Sequence, residues 1–164
     1  MALYSLKGNS NTYFVPALKL TGGKVSKAAI ELGQELGDAV TSLQGFEPQS
    51  SKINVPIQKK FAEVQIEGPQ TFQDAVLTIA EDNGSGTDAD ALQRQDALET
   101  LVKGAEGYIV MLRGSTDVTV GKTAWVMAGT VGSVVPGWGF DASAATTAVN
   151  INPSTDLIPY EIAA

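Results

Sequence analysis

The chain has 164 residues, 43% of them hydrophobic and 18% charged, with 11 basic side chains against 18 acidic ones and a formal net charge of −7. That length suits one domain burying a real core, and an acidic balance with no Lys/Arg-rich stripe argues against tight binding to nucleic acid or an anionic membrane. Histidine and cysteine are both absent, which removes the side chains on which most neutral-pH acid–base catalysis, thiol chemistry and transition-metal sites rest, so the composition points to a structural part with no catalytic, cofactor or metal site.

Glycines and prolines lie scattered between apolar runs, the arrangement of many short elements joined by turns, and a mainly β architecture is expected. No run of about 18 apolar residues suggests a membrane span, and the start lacks the apolar core of a signal peptide, so synthesis and assembly in the cytoplasm are expected. Along the chain, Tyr13-Phe14-Val15 reads as a strand near 11–15, followed by a loop closing at Gly22-Gly23. Residues 26–36, interrupted by Gly33, support at most two turns of helix with Ser26 as its N-cap. Residues 39–46 and 59–67 read as strands separated by a polar, proline-bounded loop. In the second, Ala62, Val64 and Ile66 alternate with Glu63, Gln65 and Glu67, the period of a half-buried strand. Residues 72–80 repeat the pattern, and a hairpin through Gly68-Pro69 is expected to join the two.

The strongest helix signal covers about 88–103. Thr87 stands as N-cap with Asp90 three residues on, and Lys103 and Gly104 close the far end. Ala91, Leu98, Leu101, Val102 and Ala105 share one stripe, with Leu92 off its edge, while Gln93, Asp96 and Glu99 face water. Residues 107–113, GYIVMLR, are apolar on both faces, as a central strand beneath that helix should be. Further strands are expected near 117–121, 123–135 and 145–151, the last two broken by the turn Pro136-Gly137-Trp138-Gly139. The end, NPSTDLIPYEIAA, reads as a proline-interrupted tail that adds an edge strand or lies on a neighbour.

Three motifs invite chemistry, and the residues argue for blander readings. Gly114–Thr123 ends in Gly-Lys-Thr, but six residues separate the outer glycines where a phosphate loop needs four, and a strand-like segment follows where that loop needs a helix. Asn83–Asp90 looks like half a calcium loop, yet matches neither the twelve-residue EF-hand pattern nor a repeated series. Glu63, Glu67 and Asp74 resemble a glycosidase pair, but no aromatic platform accompanies them, so a solvated strand face is preferred. Trp125, Trp138 and Phe140 read as core or interface packing before they read as a ligand surface.

The order of several segments resembles the major tail tube protein of non-contractile phage tails, of the type found in phages of actinobacteria. The segments are AAIEL, Asp38-Ala39-Val40-Thr41, Gly45-Phe46-Glu47-Pro48 and Val55-Pro56, then Gly68 with Thr71-Phe72-Gln73-Asp74 and Leu77-Thr78, and finally Gly104 to Val110. The likeness runs over roughly residues 12–152. It implies a β-sandwich or barrel-like domain with one flanking helix, assembling as hexameric rings that stack into the tube through which DNA leaves the virion. The partners it implies are copies of the chain itself, the tail terminator, the tape measure and the tail tip proteins, with DNA only in passage.

Exposed strand edges fit such a part, because ring closure removes them. An acidic bore repels passing phosphate where a basic one would release counterions and hold it. Glu63, Glu67 and Asp74 are the candidates to face that bore. The N-terminal arm (about 1–24), the loop 47–58 and the C-terminal tail (about 152–164) are the candidates for contacts between subunits, with Tyr13, Phe14, Phe46, Ile53 and Val55 as the contact residues. The alternatives are a connector or terminator that forms one ring and stops and, from another class, a carbohydrate- or ion-binding module.

Overall fold

The computed structural model describes residues 5–46, 49–56, 64–71, 74–140 and 144–164. Within them the order is β1 (Ser10–Val15), β2 (Leu20–Thr21), β3 (Lys24–Ser26), α1 (Lys27–Glu31), β4 (Gln34–Glu35), β5 (Val40–Gln44), β6 (Gln49–Val55), β7 (Val64–Thr71) and β8 (Ala75–Ala80). The chain continues through α2 (Ala89–Thr100), β9 (Glu106–Arg113), β10 (Thr123–Pro136), β11 (Thr146–Pro153) and β12 (Ile158–Ala163). The mainly β expectation holds.

The sheet is organised by β10, whose 14 residues serve two neighbourhoods. Its first half pairs with β9 on one edge and with β12 on the other, Ala124 lying opposite both Leu112 and Tyr160. Its second half leaves β12 and takes β11 instead, from Gly129↔Pro153 to Pro136↔Thr147. From β11 the sheet continues through β8 to β5, and from β9 through β1 to β4. One strand thus belongs to both walls of a curled sheet, and it must bend to do so. The bend sits where side chains are missing. Gly132 is the extra residue of a bulge between Val131 and Ser133, which raises local twist. A Cβ on Gly129 would stand 2.7 Å from Ile151 Cγ2 and 2.9 Å from the Asn152 carbonyl oxygen.

The curl encloses one core and backs onto a second. Phe14, Leu77, Ile79, Ile109, Met127, Val131, Val149 and Ile151 fill the concave side with Ala97 and Leu101 of α2. Val15, Leu18, Val25, Ile30, Val110, Leu112, Val126 and Ile162 fill the other. Strands β1, β9 and β10 contribute to both, which is why GYIVMLR is apolar on its two faces. Helix α2 lies against β4 and β8, across the gap between the two walls rather than squarely over β9. Gln93 Oε1 accepts from the Asp38 N–H at 2.6 Å, and Arg94 Nε donates to the Asp38 carbonyl at 3.2 Å.

Several expectations need correction. The hairpin through Gly68-Pro69 does not form: β7 runs straight through both residues and pairs with β6, not β8. Between Ser50↔Gln70 and Lys52↔Glu67, Ser51 faces two residues, so Gly68 and Pro69 occupy a bulge, a position that tolerates proline's missing N–H. No strand forms at 117–121. Ser115 Oγ accepts from the Asp117 N–H and donates to its carbonyl, local bonds that compete with a ladder, and Val118 turns inward to the second core.

Helix α2 starts one residue late, with Asp88 as N-cap and no side-chain capping bond. It also stops early, at Thr100. Gly104 N–H donates to the Val131 carbonyl and Val131 N–H to Ala105, which draws residues 102–105 onto the β10 bulge and leaves Val102 exposed. The tail forms β12, a strand inside its own sheet, antiparallel to β10 and parallel to β3.

Replacing Gly129 with alanine should lower stability by about 1–3 kcal/mol through overpacking, and Leu101→Ala by about 2–5 kcal/mol through the cavity left in the concave core. Urea denaturation of both variants checks this. Wild-type stability for Gly129→Ala would mean that the bend accepts a side chain.

Candidate assembly surfaces

Three surfaces of the subunit are unfinished. The first is the ribbon of β6 and β7, which pair with each other and with no other strand among the described residues. The alternation of Ile66 with Gln65 and Glu67 continues here, but none of the described residues forms a core beneath it. Ile53 and Ile66 lie directly opposite each other, 45% and 48% exposed. Val55, two residues from Ile53, shares its face. The opposite face sets Lys52 against Glu67 and Asn54 against Gln65. An amphipathic two-stranded ribbon of this kind is marginal in water unless something covers its apolar side.

The second surface is the outer edge of β5, which pairs only with β8 among the described strands and so offers unpaired backbone donors and acceptors to another strand. The third is the long β10–β11 hairpin. The Gly137 N–H donates to the Thr146 carbonyl at 2.8 Å, and just beyond this bond stand Trp138 and Phe140, 79% and 97% exposed.

One open cleft, of about 690 Å³, lies between β5 and the concave face of β1, β9 and β10. Its walls include Leu43, Phe46, Met111, Trp125 and Leu157, with Arg113 at the rim. It arises because the curl closes over only part of its own inner face. The row Phe14–Ile109–Met127 is covered by the concave core, whereas the next row outward, Thr12–Met111–Trp125, opens to the cleft.

The expected contact residues divide accordingly. Tyr13 and Phe14 are not on a projecting arm. They lie in β1, paired to β9 along its whole length and to β4 at these two positions, and Tyr13 is only 8% exposed. An apolar run bounded by turns describes a central strand as well as it describes a docking arm. Phe46 packs partly against the concave core and lines the cleft, while Ile53 and Val55 belong to the ribbon. Of the bore candidates, Glu67 is exposed on the ribbon opposite Lys52, Asp74 is exposed ahead of β8, and Glu63 lies outside the described residues. Asp82, just ahead of the calcium-like loop, ties the loop to itself: its Oδ1 accepts from the Gly84 N–H, the Gly86 N–H and Gln95 Nε2. The bond from Gly84 is the main reason that its carboxyl is held below the usual range. In Gly114–Thr123 turns lead into β10 and no helix follows, so no phosphate cradle forms.

Around Tyr13 a buried polar knot ties β1 to its surroundings. Asn11 Nδ2 donates to Glu35 Oε1 at 2.7 Å and to the Thr116 carbonyl at 2.8 Å, and its Oδ1 accepts from the Thr12 N–H. Burial, then the charges of Glu35, Glu31 and Asp117, push the Tyr13 hydroxyl up to about 12.

Among the described residues, the curled β sheet thus keeps an unpaired edge at β5, an uncovered β6–β7 ribbon and two exposed aromatic rings beyond β10. The chain belongs to the phage tail tube protein family, which it matches over residues 2–164, and is thereby a structural component of a phage tail. No curated protein matches the chain. Among solved structures its fold is similar to a chain of the anti-feeding prophage baseplate, determined by cryo-EM with 6-fold symmetrisation, at a TM-score of 0.56 and 9% identity over 100% of both chains. It is also similar to the SPP1 Dit protein, a hub adsorption protein of phages infecting Gram-positive hosts, at a TM-score of 0.41 and 14% identity. That match covers 89% of this chain and 50% of the Dit protein.

Because the folded state holds the Tyr13 proton more tightly than the unfolded chain does, the stability it contributes is complete below pH 10 and is lost as pH rises from 10 towards 12. Urea unfolding across that range should show a decline that is shallower in Tyr13→Phe, where nothing titrates. Equal slopes would remove Tyr13 as its source.

Proposed function

We propose that the chain assembles as hexameric rings that stack into the tube of a non-contractile tail, the conduit through which DNA leaves the virion. The β6–β7 ribbon carries this reading. Its exposed Ile53 and Ile66 call for a cover that the described remainder of the subunit does not supply, and a second copy is the cover a tube provides in every position. The open edge of β5 supplies the complementary device, since a sheet that continues from subunit to subunit loses its edges when the ring closes.

The net charge of −7 suits a wall past which a polyanion must slide. Only carboxylates within about 8–10 Å of the passing phosphates contribute at physiological salt. Asp74 is the stronger bore candidate among the described residues, because Lys52 opposes Glu67 across the ribbon. Glu63 stays a candidate from the sequence pattern alone. The terminator, tape measure and tip proteins are the proposed further partners, in contact with the ends and the interior of the tube.

Electron microscopy of the concentrated protein should show tubes or stacked rings. Discrete rings that never stack would identify a terminator instead, and a monomer at every concentration, even with tip complexes present, would refute self-assembly. Replacing Ile53 and Ile66 together with aspartate should abolish assembly while the monomer melts within a few degrees of wild type. Normal tubes from that variant would take the ribbon out of the contact. In virions carrying Asp74→Lys, tails should form but DNA release should slow; an unchanged release rate would place Asp74 away from the bore.

A further inference from the structure

We propose that the aromatic tip of the β10–β11 hairpin, Trp138 and Phe140, seats in the apolar cleft of the next copy, between Leu43, Phe46, Met111, Trp125 and Leu157. The proposal rests on the self-assembly reading above and names a contact that carries it. The tip has the form of a wedge. In Gly137-Trp138-Gly139-Phe140 glycine stands on both sides of Trp138 and ahead of Phe140, and the two rings are 79% and 97% exposed. Large aromatics release the most area when covered, 150–250 Å² each. Two of them side by side at a hairpin end are an apolar surface waiting for a partner.

The cleft answers in size and chemistry. Its roughly 690 Å³ falls within the range of pockets that enclose a medium-sized ligand, which is room for two ring systems. Its side walls are the uncovered row of the concave face, so an incoming ring would extend the core packing begun by Phe14, Ile109 and Met127. Among the described residues Arg113 is the one charged member of its lining and joins no ion pair. A guanidinium at the rim of an apolar cleft is suited to lie over an indole face, an attraction worth more where water is excluded. The wedge brings an indole.

Geometry makes the partner another copy. Trp125 lies near the start of β10 and the tip lies just past its end at Pro136. Both rings are exposed, so the tip does not lie in its own cleft, and the residues leading to it are held in the ladder with β11. A wedge and a cleft at different places on one subunit form a heterologous contact, the kind that propagates into rings or filaments. Two aromatics bring about 300–500 Å² to the joint, short of the roughly 800 Å² that each partner of a lasting interface contributes. The wedge therefore holds only when other surfaces, the ribbon and the β5 edge, are engaged at the same time.

The chain has no cysteine of its own, so the contact can be trapped cleanly. Phe140→Cys and Leu43→Cys proteins, mixed, assembled and mildly oxidised, should give a disulfide-linked dimer that neither single variant gives alone. In parallel, Trp138→Ala with Phe140→Ala should cut the assembled fraction at least tenfold while the monomer keeps its melting temperature. Wild-type tubes with no mixed cross-link, or normal tubes from the alanine variant, would overturn the wedge and leave the tube reading standing. A wild-type protein that never assembles would overturn both. In virions, a cross-link from Leu43→Cys to another tail protein, and none to Phe140→Cys, would give the cleft a different occupant and refute the proposal.

Discussion

Everything in this subunit depends on one strand being a member of two walls. Backbone groups must find partners wherever they are buried, and β10 meets that demand by exchanging β12 for β11 along one edge, while β9 pairs with the other from Ala124 to Thr130. The exchange forces curvature, curvature creates a concave side, and the concave side becomes the principal core. Gly129 and the Gly132 bulge are the local chemistry that permits it, since a side chain at the first would strike Ile151. Neither the placement of α2 across the gap nor the open row at Thr12, Met111 and Trp125 has meaning without that bend.

The same constraint explains why the unfinished surfaces lie where they do. A sheet that curls without closing keeps its terminal strands unpaired on one side, and here the described ends of the sheet are β5, β2 and β4. Two of these are only two residues long, too short to template another strand effectively, which is one of the ways proteins blunt an edge. β5 has five residues and no such protection. The ribbon of β6 and β7 follows β5 in the chain, so the longest open edge and the uncovered hairpin lie next to each other in sequence. In the proposed tube, an edge that is a hazard in a free monomer becomes an asset.

The sequence shows the helix, the doubly apolar β9 and the strand character of β1, β8, β10 and β11, because those depend on periodicity and on turn residues. It does not show which periodic segments are buried. Val64 and Ile66 alternate with polar residues as a half-buried strand does, and only the pairing of β7 with β6 reveals that Ile66 is bare among the described residues. Tyr13 and Phe14 present the reverse case: a short apolar run after a polar turn looks like an arm and is a buried strand held between β4 and β9. Residues 117–121 alternate correctly yet stay irregular, because the Ser115 hydroxyl bonds both backbone groups of Asp117 locally. The site residues that sequence reasoning missed, Ile66 and Met111, share one property. Their significance lies in what fails to cover them, and an absent neighbour leaves no trace in a chain read residue by residue.

The β10–β11 hairpin separates two jobs that most elements combine. Its register is pinned by the Gly132 bulge and by the bond from Gly137 to Thr146, while the described residues of its loop contribute to neither core. Substitution of Trp138 or Phe140, which pack in neither core, should leave the folding free energy almost untouched. Such a loop is free to diverge in step with whatever it meets, so related lineages can acquire mutually incompatible subunits, each copying the same architecture and refusing the other's, without crossing any valley of misfolded intermediates.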